Sequence, residues 1–394
     1  MKILFTGDLT VANKQYNISS EIIKIFAEAD YSIVNLESPI LYDEKINRYP
    51  KVGPCLFQKT NVIEILKNLN IGYASGANNH IIDYGEIGIK STMEILEKNN
   101  IQFGGFGLNE EQSARQLNLK NSNVSIICAC EEEFGVAAPE RFGSFSIYNE
   151  EIIKKITNLK KDNKYIIIFA HGGPEEVPLP SKYIIKRYRE LINSGADLVV
   201  GHHPHVIQGY EKYKNKNIFY SLGNFIHQSF SLSKGTLLFV NIEKNDATSF
   251  KLFPIKMETN FLKILNEQSL INYLNKLNNI SAQPNLFEAI YQEQAIYMYE
   301  NYYEKYFTGL FLKNKSLIRK ILSMFKNHLV KKSMRIANQK DRLLLLHLLR
   351  NNSHKEFIET ALKILTGEIK DLRSEKTKQI FQELNNFIIA IQKR

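Results

Sequence analysis

Three of the chain's nine histidines fall within four residues, at His202, His203 and His205. They follow the apolar residues 198–200, which predict a short buried strand. Ligands bind at the carboxyl ends of strands in open α/β sheets, and neutral imidazole is the commonest metal ligand of proteins. The spacing therefore predicts a metal or ligand site where this strand ends. A histidine-rich loop that is simply solvated is the alternative interpretation.

Side chains that bind metals also follow four other apolar runs. The runs and the residues after them are 3–6 with Asp8, 32–36 with Glu37, 72–75 with Asn78, Asn79, His80 and Asp83, and 165–170 with His171. Taken singly, an Asp or Asn after a strand is usually a turn or capping residue. Their recurrence in order at successive strand ends favours one shared site.

Carboxylates, imidazoles and amide oxygens together suit Mn, Fe or Zn. Two such ions bridged by a carboxylate can bind two oxygens of a phosphoryl group and generate a hydroxide nucleophile. This chemistry needs a carboxylate bridge, several histidines, an amide oxygen and one further imidazole outside the ligand set. The chain supplies each of these at a predicted strand end.

Residues 1–258 alternate short apolar runs with helical patterns, which predicts an α/β fold with helices covering the sheet. The predicted strands are 3–6, 32–36, 72–75, 124–130, 165–170, 198–200, 218–222, 236–242 and 250–256. The clearest predicted helices are 19–28, 60–69, 85–98, 150–159 and 181–193.

Residues 259–394 differ from the first part in pattern and in charge. Long helical patterns dominate there, and Leu317, Ile321, Phe325 and Leu329 mark one face of a helix. Residues 1–258 carry 29 basic and 29 acidic side chains, whereas residues 259–394 carry 22 and 12. The net charge of +10 therefore belongs to the second part, and we place the boundary near residue 258.

Six segments in this order resemble the CapA family of capsule biosynthesis, also called the poly-γ-glutamate synthesis family. They are residues 5–8 (FTGD), 35–39 (NLESP), 77–85 (ANNHIIDYG), 171–175 (HGGPE), 201–211 (GHHPHVIQGYE) and 220–225 (YSLGNF). That family is similar in fold to the calcineurin-like metallophosphoesterases. The resemblance implies a layered sandwich of β-sheets flanked by helices, here followed by an all-helical C-terminal region.

The resemblance also implies one or two divalent metal ions and a role for each residue of the site. The metal ligands would be Asp8, Glu37, Asn79, His171, His203 and His205, with His202 as the alternative to His203. The catalytic residues would be His80 and Asp83, and the substrate-binding residues would be Asn78, Glu175, Glu211 and Asn224. Metallophosphoesterases usually have a histidine two residues after the first aspartate, where this chain has Thr10.

Two functions of different classes follow from the resemblance. The first is a metal-dependent hydrolase or transferase in the biosynthesis or release of an anionic capsular polymer, of the poly-γ-glutamate or polysaccharide type. The second is a non-catalytic assembly or scaffold protein of a capsule synthesis complex. Thr10 favours the second function, whereas His80 and the histidine-rich segment favour the first.

The expected location is the cytoplasm or the face of a membrane. Cys55, Cys128 and Cys130 form no even set or C-x-x-C pair, and no apolar run reaches the ~18–20 residues that span a bilayer. The basic C-terminal region is either a helical unit that packs on the α/β part, a membrane-surface element or a docking site for a polyanion. Expected partners are an anionic polymer or phosphoester and other capsule-synthesis proteins. Nucleic acid is not expected, because no binding motif accompanies the charge.

The charge difference predicts that residues 259–394 give the protein its affinity for anionic surfaces. Binding should weaken with salt, because the Debye length falls from ~10 Å at 0.1 M to ~3 Å at 1 M. Sedimentation with anionic liposomes and retention on immobilised polyglutamate compare the full chain with residues 1–258. Equal binding by both, or no binding at low salt, would contradict the prediction.

Overall fold

The computed structural model describes residues 1–43, 45–162, 164–230, 232–243, 248–265, 268–304 and 339–391. The helix predicted around residues 317–329 lies outside these residues. The strands are β1 Lys2–Thr10, β2 Asn17–Ile18, β3 Tyr31–Leu36, β4 Tyr73–Ser75, β5 Gln102–Gly104, β6 Phe106–Gly107, β7 Leu117–Asn118, β8 Val124–Cys130, β9 Gly143–Ser144, β10 Tyr165–His171, β11 Leu198–His202, β12 Tyr210–Tyr213, β13 Lys216–Phe219, β14 Asn224–His227, β15 Leu232–Ile242, β16 Thr248–Glu258 and β17 Phe261–Ile264.

The described helices flank the sheets or follow them in the chain. They are α1 Ser20–Ala27, α2 Val62–Asn68, α3 Gly85–Lys98, α4 Glu110–Ser113, α5 Glu151–Lys161, α6 Lys182–Asn193, α7 Gln268–Ser281, α8 Pro284–Met298, α9 Gln339–Arg350, α10 Asn352–Leu365 and α11 Glu375–Ile391. A π-helical turn, Tyr299–Tyr303, continues α8. None of these described helices is long and apolar enough to cross a membrane.

Two sheets form the centre of the fold. The first has the order β2-β17-β16-β15-β1-β3-β4-β5, with β14 also paired to β1, and the second has the order β12-β13-β11-β10-β8-β7. Within them β1, β3, β4 and β5 are parallel, and so are β8, β10, β11 and β13. The carboxyl ends of the parallel strands therefore share one edge in each sheet, where the sequence places its polar residues.

The sheets pack face to face, and helices cover their outer faces. Phe5 of β1 stacks on Phe169 of β10 across the inner layer, with ring centroids 5.8 Å apart. Apolar side chains of α1, α2 and α3 cover the first sheet, and those of α5 and α6 cover the second. Both faces of the central strands are buried, which explains why they read as nearly continuous apolar runs. The predicted layered α/β sandwich is confirmed.

The sheet extends beyond the domain boundary placed near residue 258. Strand β17, Phe261–Ile264, pairs antiparallel with β16 and parallel with β2. The α/β part therefore continues through Ile264, and the helical region begins with α7. The sequence pattern predicted no strand at β17 or at β14.

The helical region packs against the α/β part at fixed points. Buried Gln294 of α8 accepts a hydrogen bond from the Leu179 N–H at 3.0 Å and donates to the Leu179 carbonyl at 2.9 Å. On α10, Phe357 stacks on Tyr291 of α8, with centroids 5.1 Å apart. These helices share one apolar core with Val177, Leu179, Val206 and Ile207 of the α/β part. The described part of this region is therefore a packed unit.

The backbone at Gly7 lies so close to the Gly223 carbonyl that a larger residue there should destabilise the protein. A Cβ at Gly7 would lie 2.0 Å from the Gly223 carbonyl oxygen, so Gly7→Ala must push β14 away from β1. We expect a loss of about 1–3 kcal/mol in the free energy of unfolding. The matched control is Gly72→Ala, because a Cβ there meets nothing within 4 Å. Equal denaturant midpoints for the two variants would contradict this prediction.

Candidate metal centre

The polar strand ends of the two sheets meet in one buried cluster. The sequence-predicted metal ligands Asp8, Glu37, Asn79, His171, His203 and His205 are each at most 5% exposed. Asp8 lies in β1 and Glu37 directly after β3, in the first sheet. His171 ends β10, and His203 and His205 follow β11, in the second sheet. The structure thus brings all six together from strands far apart in sequence.

The Glu37 carboxylate is the clearest sign of a metal. Neither of its buried oxygens has a hydrogen-bond partner among the described residues. Imidazole Nε2 atoms lie 3.8 Å (His171), 3.6 Å (His205) and 3.5 Å (His227) from it. Two ligands that are each ~2.0–2.2 Å from one ion lie roughly 3–3.7 Å from each other. An unsatisfied carboxylate at these separations fits a shared divalent ion.

The turn after β11 decides which histidines face this carboxylate. His203 and His205 have φ values of +100° and +58°, so the backbone turns sharply between them. Ligand atoms of Glu37, His203 and His205 all lie within 4.8 Å of one another. The buried His203 Nδ1 has no hydrogen-bond partner among the described residues.

His202 is directed away from the cluster. Its Nε2 lies 2.9 Å from the Thr6 carbonyl oxygen and its Nδ1 lies 3.2 Å from the Ala170 carbonyl oxygen. The ring packs on Phe169, with centroids 4.1 Å apart. Burial lowers the pKa of His202, so it is a neutral core residue. The structure therefore selects His203, and not His202, as the candidate ligand.

Amide groups fix the neighbouring ligands. Asn35 Nδ2 donates to Asp8 Oδ1 at 2.7 Å and lies 3.1 Å from His171 Nδ1. On the other side of the ring, His171 Nε2 lies 3.2 Å from Asn79 Oδ1. Burial lowers the pKa of His171 well below its usual value, which keeps the imidazole in the neutral form that binds metals.

Burial and neighbouring charges act in opposite directions on the pKa values of His205 and Asp8. Burial would lower the pKa of His205, but the carboxylates of Glu37 and Asp8 outweigh it and raise this pKa to about 10. Burial would raise the pKa of Asp8, but the hydrogen bond and charge of His205 lower it. The raised pKa favours the protonated form of His205, and a metal ion bound at this imidazole would replace its proton.

The predicted catalytic pair forms a second hydrogen-bonded group beside the ligands. His80 Nδ1 lies 2.7 Å from Asp83 Oδ2, which also accepts from the Leu56 N–H at 2.6 Å. The buried ammonium group of Lys51 pairs with Asp83 and lies 3.1 Å from His80 Nδ1. Burial, and then the Lys51 charge, lower the pKa of His80. His80 is therefore a neutral imidazole held by Asp83.

Two residues predicted to bind substrate, Asn78 and Asn224, make hydrogen bonds beside the cluster. Asn78 Nδ2 donates to the Leu36 carbonyl at 2.8 Å, and its Oδ1 accepts from the His80 N–H at 3.1 Å. Asn224 Oδ1 lies 3.0 Å from His205 Nδ1 and so accepts its proton. These contacts position His205 and the His80 loop, while Asn224 Nδ2 is buried without a hydrogen-bond partner among the described residues.

The other two predicted substrate-binding residues, Glu175 and Glu211, differ in their contacts with the cluster. Glu175 lies near the cluster: burial would raise its pKa, but the charges of His205 and His203 lower it. Glu211 lies in β12, where Arg189 binds both carboxylate oxygens at 2.8 and 2.6 Å. The Tyr220 hydroxyl also donates to Glu211 at 2.8 Å. The described contacts of Glu211 thus do not bring it to the cluster, because its carboxylate is already held by Arg189.

Sequence reasoning missed an imidazole that compensates for Thr10. His227 lies opposite Thr10 in the β1–β14 pairing, and its ring is 4.7 Å from that of His205. Its Nε2 is the atom 3.5 Å from Glu37 Oε2. A neighbouring strand therefore supplies a histidine beside the position where the first strand lacks one. His227 could have been found from the sequence only if strand β14 had been predicted.

A missed carboxylate, Glu133, lies on the other side of the cluster. Asn79 Nδ2 donates to Glu133 Oε2 at 2.8 Å, and His203 Nε2 lies 3.1 Å from Glu133 Oε1. Burial would raise the pKa of Glu133, but the charge and hydrogen bond of His203 lower it well below its usual value. Glu133 follows β8 within three consecutive glutamates, a pattern that is usually a solvated turn.

Comparisons with known proteins agree with the sequence motifs. Residues 2–229 match the family model described as "Bacterial capsule synthesis protein PGA_cap". The chain is 30% identical over 238 residues to the PGA biosynthesis protein CapA of Bacillus subtilis, which covers 59% of this chain and 62% of that protein. It is 29% identical over 245 residues to the capsule biosynthesis protein CapA of Bacillus anthracis, covering 58% and 59%. In both cases the match spans less than two thirds of the relative.

A solved structure was also compared. The crystal structure of the protein TT1561 of Thermus thermophilus superposes with a TM-score of 0.34 at 12% identity, covering 64% of this chain and 97% of that chain.

The contrast between His203 and His202 predicts which substitution removes metal. We expect Glu37→Ala and His203→Ala to lower the metal content of purified protein, because each removes a ligand atom from the cluster. We expect His202→Gln to lower the melting temperature but to retain the metal. Plasma mass spectrometry on folded, gel-filtered protein measures the metal content of each variant, and thermal unfolding measures the melting temperature. Equal metal content in wild type, Glu37→Ala and His203→Ala would contradict the site.

Proposed function

Because the chain belongs to the bacterial capsule synthesis family PGA_cap, we propose that it is a metal-dependent hydrolase or transferase. It would act in the biosynthesis or release of an anionic capsular polymer, of the poly-γ-glutamate or polysaccharide type. The observation that supports this most is the buried Glu37 carboxylate, which has no hydrogen-bond partner among the described residues and faces three imidazoles.

The candidate ligands around Glu37 contact one another in pairs. His205 Nδ1 lies 3.3 Å from Asp8 Oδ2, and His171 Nε2 lies 3.2 Å from Asn79 Oδ1. Together with His203, these donors suit one or two divalent ions of the Mn, Fe or Zn class. Such ions polarise a phosphoryl or carbonyl oxygen and provide an activated water at neutral pH. The protein's own part is to keep the imidazoles neutral or exchangeable and to exclude bulk water from the ligands.

His80 and Asp83 give the chain an acid–base group next to the ligands. When Asp83 Oδ2 accepts the Nδ1 proton of His80 at 2.7 Å, the neutral imidazole presents a lone pair at Nε2. Such a histidine first takes up a proton at Nε2, and the resulting imidazolium then stabilises charge on a leaving or non-bridging oxygen. Lys51 neutralises Asp83, so the pair carries little net charge to repel an anionic substrate.

A non-catalytic assembly role remains the second candidate, because of the charge of the C-terminal region. Residues 259–394 carry 22 basic and 12 acidic side chains. This excess would attract an anionic polymer or an anionic membrane face, and capsule-synthesis proteins would be further partners. Turnover of a chromogenic phosphodiester or of a γ-glutamyl amide, with and without Mn²⁺, separates the two candidates. Absence of metal-stimulated turnover on either substrate class favours assembly.

The position of His80 predicts a selective effect on turnover. His80→Asn should lower kcat by roughly 10²–10⁴-fold, as expected for loss of a general acid. Its metal content should stay unchanged, because no candidate ligand atom is removed. Asp83→Asn should act in the same direction and more weakly, since it only misorients the imidazole. Full activity of His80→Asn would exclude it from the mechanism, and loss of metal would instead make it a ligand.

A further inference from the structure

We propose that the C-terminal helical region completes the metal centre, with Glu133 and Asn351 as positioning residues. Glu133 orients Asn79 and His203 towards the ion, and Asn351 of the helical region holds Glu133. This inference rests on the proposed metal-dependent function and goes beyond it. Asn351 lies outside residues 2–229, the part that matches the family.

Glu133 receives hydrogen-bond donors from both parts of the protein. Asn79 Nδ2 donates to its Oε2 at 2.8 Å, and His203 Nε2 lies 3.1 Å from its Oε1. Asn351 Nδ2 donates to the same Oε1 at 3.1 Å. All four side chains are buried, with exposures of 6% or less. A buried carboxylate needs such donors, and their loss is costly because water cannot replace them.

The two contacts with candidate ligands fix which of their atoms face the ion. Donation from Asn79 Nδ2 turns the amide so that Oδ1 lies 3.2 Å from His171 Nε2, within the ligand set. If His203 Nε2 carries the proton directed at Glu133, the lone pair of Nδ1 is left for the ion. Both ring nitrogens of His203 are buried without a hydrogen-bond partner among the described residues, and Nε2 is the one that lies within ion-pair distance of Glu133, at 3.1 Å. Histidines that bind metals commonly donate their other N–H to a carboxylate in this way.

Asn351 is held in place by a second role. It is the N-cap of α10, and its Oδ1 accepts from the His354 N–H at 2.9 Å. With the oxygen used by the helix, the Nδ2 group is directed to Glu133. The start of α10 therefore sets the direction of the Asn351 amide, and this amide sets the position of the Glu133 carboxylate.

A neighbouring contact, between Ser353 and Glu131, also attaches α10 to the glutamate segment after β8. Ser353 donates to Glu131 Oε1 from its backbone N–H at 3.0 Å and from Oγ at 2.9 Å. Glu131 Oε2 in turn accepts from the Gly173 N–H at 2.9 Å, two residues after His171. The N-terminus of α10 thus holds the glutamate segment after β8 at two points, Glu131 and Glu133.

The test separates capping from positioning within the full chain. Asn351→Ser and Asn351→Asp both retain an N-cap acceptor, but serine is too short to reach Glu133 and aspartate places a second negative charge beside it. Glu133→Gln removes the carboxylate while keeping its size. The matched controls are Asn109→Ser and Asn109→Asp, because Asn109 also caps a helix, through the Gln112 N–H at 2.9 Å. The probe is Co²⁺ alone, measured by competition with a chromogenic chelator and by its visible absorption spectrum.

We expect Asn351→Ser and Glu133→Gln to weaken Co²⁺ binding by roughly 10–100-fold and to alter the spectrum. Asn351→Asp should weaken it further, and the Asn109 variants should bind like wild type. Melting temperatures of the serine variants should stay close to wild type. Wild-type affinity and spectrum in both Asn351→Ser and Glu133→Gln would overturn this inference and leave the metal-dependent function intact. Failure of the wild-type protein to bind Co²⁺ would overturn both.

Discussion

A fully buried carboxylate, Glu37, is the constraint on which the rest of the structure depends. Removing a charged group from water is costly unless it is paired or binds a metal. Here its oxygens accept no hydrogen bond from the described residues, and three imidazoles surround it at 3.5–3.8 Å. Burial and the charge of Asp8 raise the pKa of Glu37 well above its usual value, so the ionised carboxylate needs positive charge beside it, from protons on the histidines or from a divalent ion. The centre and the fold around it are therefore parts of one electrostatic unit.

Two sheets are needed to surround one carboxylate. A single sheet edge offers ligands in a row, whereas sheets packed face to face bring strand ends from opposite sides. The close approach of Gly7 to Gly223 places β14, and with it Asn224 and His227, beside Asp8. The left-handed backbone at His203 and His205 turns both rings inward. Such backbone is uncommon for residues other than glycine and often marks functional sites.

The C-terminal helices extend this unit beyond the part shared with the family. Gln294 and Ser353 attach them to the segments after β10 and β8. Their described residues belong to one apolar core with the loops of the α/β part, so they do not form a detached tail. The basic excess of residues 259–394 falls on residues outside these described helices.

The sequence determined the α/β class of the fold and the chemical types of the ligands, because periodic apolar runs and the polar residues after them are local properties. The layered sandwich was what the family resemblance implied. The sequence could not choose between His202 and His203, because a backbone turn with positive φ breaks the alternation of side chains along a strand. It placed Glu211 with the site, although Arg189 holds it elsewhere. His227, Glu133, Lys51 and Asn351 became visible only in the tertiary structure. Each acts through a partner distant in sequence, and a sequence separation of 218 between Glu133 and Asn351 leaves no local pattern to detect.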